Sequence, residues 1–119
     1  PSALLSKDGV FQSEAAAMLR SMLRALAAPD DIGLFRAALA TPLLGFDAPA
    51  LLALEHDPAR FDSEWAHFER AAALWRSRGP LPALLPFATA AAQRWLGEQG
   101  GARRMTDLLH LLELLQAEA

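Results

Sequence analysis

Few side chains in this sequence could do chemistry, and they are thinly spread. His110 and Glu113 stand three apart near the C-terminal end, a spacing that places a ring nitrogen and a carboxylate on one helical face. Such a pair could share a proton or begin a metal site. Zinc needs three or four converging ligands, so a hydrogen-bonding polar strip is the expected reading. Arg103 and Arg104 stand at the start of the same helical stretch, where backbone amides already favour anions. They could meet a phosphate; an ion pair with Asp107 or with another domain is the stronger expectation. Trp65 and Trp75 could form a stacking platform for single-stranded bases. Their spacing is that of an inward helix face, with no basic residue interleaved, so both are expected in the core, as is Trp95. Glu64 and Glu69 read as solvated charges rather than a catalytic pair. His56 adjoins a helix cap and His67 lies off the aromatic stripe, so both are expected at the surface or its boundary.

Several chemistries are excluded outright. A phosphate-binding loop needs a glycine-rich turn followed by Lys-Ser or Lys-Thr; Lys7 is the only lysine, and no glycine loop precedes it. No G-x-S-x-G elbow is present for a serine nucleophile. With no cysteine there is no thiol catalysis, disulfide or thiolate metal site. No catalytic, cofactor-binding or metal-binding residue is therefore assigned. Arg103, Thr106, Asp107, His110 and Glu113 fall on one polar strip broken only by Leu114, and Arg103, Arg104, Asp107, His110 and Glu113 are the residues expected to contact DNA or a neighbouring domain.

The 119 residues are enough for one domain with a real core. An apolar fraction of 53% against 21% charged residues favours a folded chain over a disordered one. No apolar run reaches the length of about 18 residues that would suggest a membrane span. A formal net charge of −3 argues against strong, free-standing nucleic-acid affinity. The chain opens on Pro1 without an initiator methionine or a signal pattern, and is expected to be a piece of something longer.

The elements that must position these residues all read as helices. Residues 1–12 are expected to be irregular, turning at Lys7-Asp8-Gly9, with Val10 and Phe11 as anchors. Ser13 caps a helix stopped by Pro29, with Ala15, Leu19, Met22, Leu23 and Leu26 on its buried face. Asp30 or Asp31 caps a short helix striped by Ile32, Phe35 and Leu39. Thr41-Pro42 ends it, and Gly45 is expected to take a backbone angle that other residues resist. Asp47 caps a third helix carrying Leu51, Leu52 and Leu54, with Pro49 in its first turn. Asp57-Pro58 opens a long helix to Arg78, stopped at Gly79-Pro80, with Phe61, Trp65, Phe68, Ala72 and Trp75 in one sector. Leu81 to Leu96 is helical, either starting near Pro86 or kinked there. After Gly100-Gly101 the closing helix presents Met105, Leu108, Leu109, Leu111, Leu112 and Leu115 in a broad apolar sector, and the other helices are expected to pack around it. No alternating strand pattern occurs. The expected fold is all-α: a compact bundle of about six helices without a sheet, residues 1–119 forming one helical subdomain.

Three blocks carry a family resemblance. The closing "RRMTDLLHLLELLQ", after its glycine pair, resembles the "GERRLTNLLHLAELLQ" type of segment in RecB-type exodeoxyribonuclease V beta chains, members of the UvrD-like helicase superfamily. "LFRAALATPLLGFDAPALLAL", from Leu34 to Leu54, resembles that family's "LRAALATPLFG" run with its acidic-capped helix. "WRSRGPLPALL", from Trp75 to Leu85, is similar to its W-x-x-R-G-x-L stretch. Asp107 stands where the family commonly has asparagine, and Ala102 where it has glutamate. The resemblance implies the inserted helical subdomain, often called 2B, of a bacterial, cytoplasmic helicase–nuclease. Such a parent would unwind and degrade double-stranded DNA ends in recombinational repair, using ATP and magnesium held in flanking domains. Implied partners are the flanking motor domains, gamma- and alpha-type sister subunits, and duplex DNA ends. The alternatives are a stand-alone helical interaction or dimerisation module, and the equivalent subdomain of an AddA-type or plain UvrD-type helicase.

Overall fold

In a computed structural model, residues 14–118 are described, and they form six helices with no strand among them. These are α1 (Glu14–Ala27), α2 (Ile32–Leu39), α3 (Ala48–Glu55), α4 (Pro58–Arg78), α5 (Pro80–Trp95) and α6 (Gly101–Glu118). The all-α expectation holds. The expectations on Lys7-Asp8-Gly9, Val10, Phe11 and the Ser13 cap lie outside the described residues.

Local chemistry sets the helix limits. Asp31, Asp47 and Asp57 each stand in non-helical backbone, and their side chains accept from the amides of Leu34, Ala50 and Arg60. Each cap satisfies an N–H that has no carbonyl partner inside its helix. Asp31, not Asp30, does this for α2. Gly45 takes the left-handed angle expected of it, φ +75°.

α5 runs without interruption from Pro80, so its start is not near Pro86. Its first turn shows why. Pro80 and Pro82 have no N–H to satisfy. Leu81 N–H donates to Gln116 Oε1 (3.0 Å), and Ala83 N–H reaches the Gly79 carbonyl (3.4 Å). Gln116 also donates through Nε2 to the Arg78 carbonyl (2.9 Å). One side chain from α6 thus closes the end of α4 and the beginning of α5. Replacing Gln116 with alanine removes both bonds and leaves Leu81 N–H unpaired in a half-buried corner. The expected cost is about 1–2 kcal/mol, read from the urea midpoint by tryptophan fluorescence. An unchanged midpoint would refute the clasp.

The helices make a slab 49 × 35 × 21 Å, about two helix diameters thick. α1 and α4 each have three main neighbours, α1 lying against α2, α4 and α6, while α5 lies against α4 and α6, and α3 against α4. Ala15, Ala16, Met18, Leu19, Met22, Ala25 and Leu26 of α1 are buried, and Leu23 is half-buried. This corrects the expectation that the chain packs around its closing helix. α6 has α5 and α1 as its main neighbours, which bury Leu108, Leu111 and Leu112. They leave Met105, Leu109, Leu114 and Leu115 half-buried. Its apolar sector is wider than two neighbours can cover.

Two large apolar residues stand outside these seams. Ile32 is 53% exposed because it stands in the first turn of α2, outside the seam made by Phe35, Ala38 and Leu39. Leu52 is 59% exposed because α4 is the main neighbour of α3 and only Leu54 is fully covered. The aromatic stripe of α4 does face inward. Phe68 and Ala72 are buried, and Phe61, Trp65 and Trp75 are half-buried against the core. Phe35 sits at their centre, edge-on to Phe61, Trp65 and Phe68 at 5.3, 4.9 and 4.9 Å between ring centroids.

Candidate interaction surfaces

The five candidate contact residues of α6 fall into two groups. Arg104 is drawn inward. Its Nε donates to Glu14 Oε1 (2.6 Å), its Nη1 lies 3.6 Å from Glu98, and its guanidinium lies 5.2 Å from the centre of the Trp95 ring. Within the chain its carboxylate partners are Glu14 and Glu98 rather than Asp107. It joins the start of α6 to the start of α1 and to the α5–α6 turn. Arg103, His110 and Glu113 are exposed, and Asp107 is half-buried. No hydrogen bond or ion pair joins these four to one another among the described residues, so the strip is a set of separate groups. Trp95 is buried, as expected. His56 donates or accepts through Nδ1 at the Leu52 carbonyl (3.0 Å), at the C-terminal cap of α3.

A more organised surface lies elsewhere, in a cleft of about 600 Å³ between α4, α5 and the loop joining α2 to α3. Two helical stripes face each other across it. From α4 come Arg60, Glu64, His67, Ala71 and Leu74; from α5 come Ala83, Phe87, Ala90 and Arg94. Their steps of three and four place each set on one helix face. Phe68 and Phe87, with centroids 5.4 Å apart, join the two helices beside the cleft. Leu44, Gly45 and Phe46 close one end.

The charges in this cleft are held in an unusual way. Arg94 Nη2 donates to the carbonyls of Pro42 (3.0 Å) and Leu43 (2.6 Å). The Arg60 guanidinium lies over the Phe46 ring, 5.4 Å from its centre. Both arginines are thus fixed by uncharged groups, which orient the cation without neutralising it. Elsewhere Arg36 is bound to Glu55, and Arg104 to Glu14 and Glu98. Glu64 is the cleft's carboxylate, and its side chain is only 18% exposed, less solvated than expected. It lies 3.7 Å from the ring of His67. The arginines of this cleft were not singled out from the sequence. The series Arg60, Glu64, His67, Ala71, Leu74 has the spacing of one helix face and lies beside the aromatic stripe.

No protein-family model matches the chain. Two curated relatives match it nearly end to end. It is 36% identical over 119 residues to the RecBCD enzyme subunit RecB of Escherichia coli, across 98% of this chain. It is 38% identical over 125 residues to the same-named subunit of Mycolicibacterium smegmatis, across 100% of this chain. The match takes in only 10% and 11% of those two proteins, so the chain spans about a tenth of the length of the relatives it matches.

Proposed function

We propose that this chain, a relative of RecB along nearly all of its length, works as a non-catalytic helical subdomain of a larger ATP-driven helicase–nuclease. The continuous 36% identity over 98% of the chain carries this reading. In that setting its 119 residues form one inserted block, of the kind called 2B. It packs on the flanking motor domains, meets gamma- and alpha-type sister subunits, and helps position duplex DNA ends for repair and recombination in the bacterial cytoplasm. The phosphate-binding loop such an enzyme uses for ATP has no counterpart in this sequence. Lys7 is the only lysine, and no glycine-rich turn precedes it. The contribution of this block is therefore shape and contact. Its exposed strip of Arg103, His110 and Glu113 offers charge to a neighbour. Arg104, held by Glu14 and Glu98, serves the block's own cohesion.

A segment exchange tests the proposal. The matched tenth of E. coli RecB is replaced by this chain, and the hybrid is assembled with its sister subunits. Assembly and ATP-dependent unwinding are expected to survive, while the 119-residue chain alone hydrolyses no ATP in the presence of DNA. ATP turnover by the isolated chain, or a hybrid that folds yet neither assembles nor unwinds, would defeat the assignment.

A further inference from the structure

We propose that the α4–α5 cleft is a docking groove for an acidic, amphipathic helical segment of a protein. The inference rests on the cleft alone and is independent of the helicase assignment. The chain as a whole carries a net charge of −3, yet here three arginines, Arg60, Arg70 and Arg94, meet a single carboxylate, Glu64. Two of the three are oriented by a ring and by backbone carbonyls rather than by acids, so their charge is available to an incoming anion without further rearrangement. Arg70 is exposed and has no carboxylate partner among the described residues.

The floor decides which anion fits. Leu44, Leu74 and Phe87 make the bottom of the cleft apolar, and its volume of about 600 Å³ has room for several aliphatic side chains. A helix with leucines at i, i+3, i+4 and i+7 and glutamates flanking them satisfies floor and rim together. Nucleic acid satisfies only the rim. The Phe46 face is already covered by Arg60, and Phe87 is buried, so the cleft offers bases no open aromatic face.

The probe is a synthetic helical peptide with that leucine spacing and glutamate at the remaining positions, titrated into the 119-residue chain by isothermal calorimetry. Its counterpart with lysine in place of glutamate and an oligothymidine are titrated in parallel. The acidic peptide is expected to bind, and the lysine peptide to bind at least about tenfold more weakly. Arg70→Glu should weaken the acidic peptide by about tenfold or more, and Glu64→Gln should tighten it. The helical circular-dichroism melt of Arg70→Glu should be unchanged, because that side chain holds nothing in place. The proposal is overturned if the acidic peptide does not bind, or if both peptides bind alike. It is also overturned if Arg70→Glu leaves the affinity intact, or if oligothymidine competes for the cleft and loses affinity with that substitution.

Discussion

Replacing Gly101 with alanine is expected to cost more than any other single-methyl change in the chain. Gly101 is buried at the first position of α6, and a Cβ placed there would overlap the backbone carbonyl of Trp95. That oxygen cannot swing aside cheaply, because it accepts from the amide of Glu98 at 2.9 Å, and Gly101 N–H itself donates to the Glu98 carbonyl at 3.1 Å. The turn joining α5 to α6 would have to reopen. The destabilisation should reach or pass the upper end of the overpacking range, about 3 kcal/mol. Gly97, four residues earlier, is the matched control. A Cβ there meets nothing within 4 Å, so Gly97→Ala should move stability by no more than about 0.5 kcal/mol. Urea unfolding of the two variants decides the matter, and equal midpoints would contradict the close approach.

Phe35→Ala should be the most damaging truncation of the aromatic core. The ring is 3% exposed and touches three aromatic edges contributed by α4. Its removal forfeits the burial of the ring and leaves a cavity that Phe61, Trp65 and Phe68 must line without support. Changes of this kind cost about 3–5 kcal/mol. Phe35→Leu fills much of the space and should cost clearly less. Trp65 supplies a second readout, since it loses its edge contact and its emission should shift to the red in Phe35→Ala. A midpoint within error of the parent chain would mean that Phe35 is not the keystone of α2 on α4.

The helix limits were legible because capping is a matter of a few neighbouring residues. Asp47 with Pro49, Asp57 with Pro58, and Gly79 with Pro80 each announce a boundary by local rules, and each boundary stands where those rules put it. The order of the layers was not legible in the same way. Leucine content made α6 look central, whereas α1 has the larger buried face, and five of its seven buried residues are alanine or methionine. Small side chains let helices approach closely. Ala83, Ala88 and Ala91 do the same for α5, each at most 1% exposed. A reading weighted by large apolar residues passes over such seams. The cleft was missed for a related reason. Arg60 and Arg94 are separated by more than thirty positions along the chain, and what relates them is the pairing of α4 with α5, a tertiary fact. Arg104 shows the converse. Its neighbours in sequence pointed to Asp107, and its charge is answered by Glu14, ninety residues away.

The Gln116 clasp has a consequence for the order of events during synthesis. α4 and α5 are adjacent in sequence and can pair as soon as both have left the ribosome. Their shared corner, however, stays unsealed until a glutamine three dozen residues downstream has also emerged. A chain halted within α6 would therefore present a helical hairpin with an open hinge, which the final turn of α6 fastens.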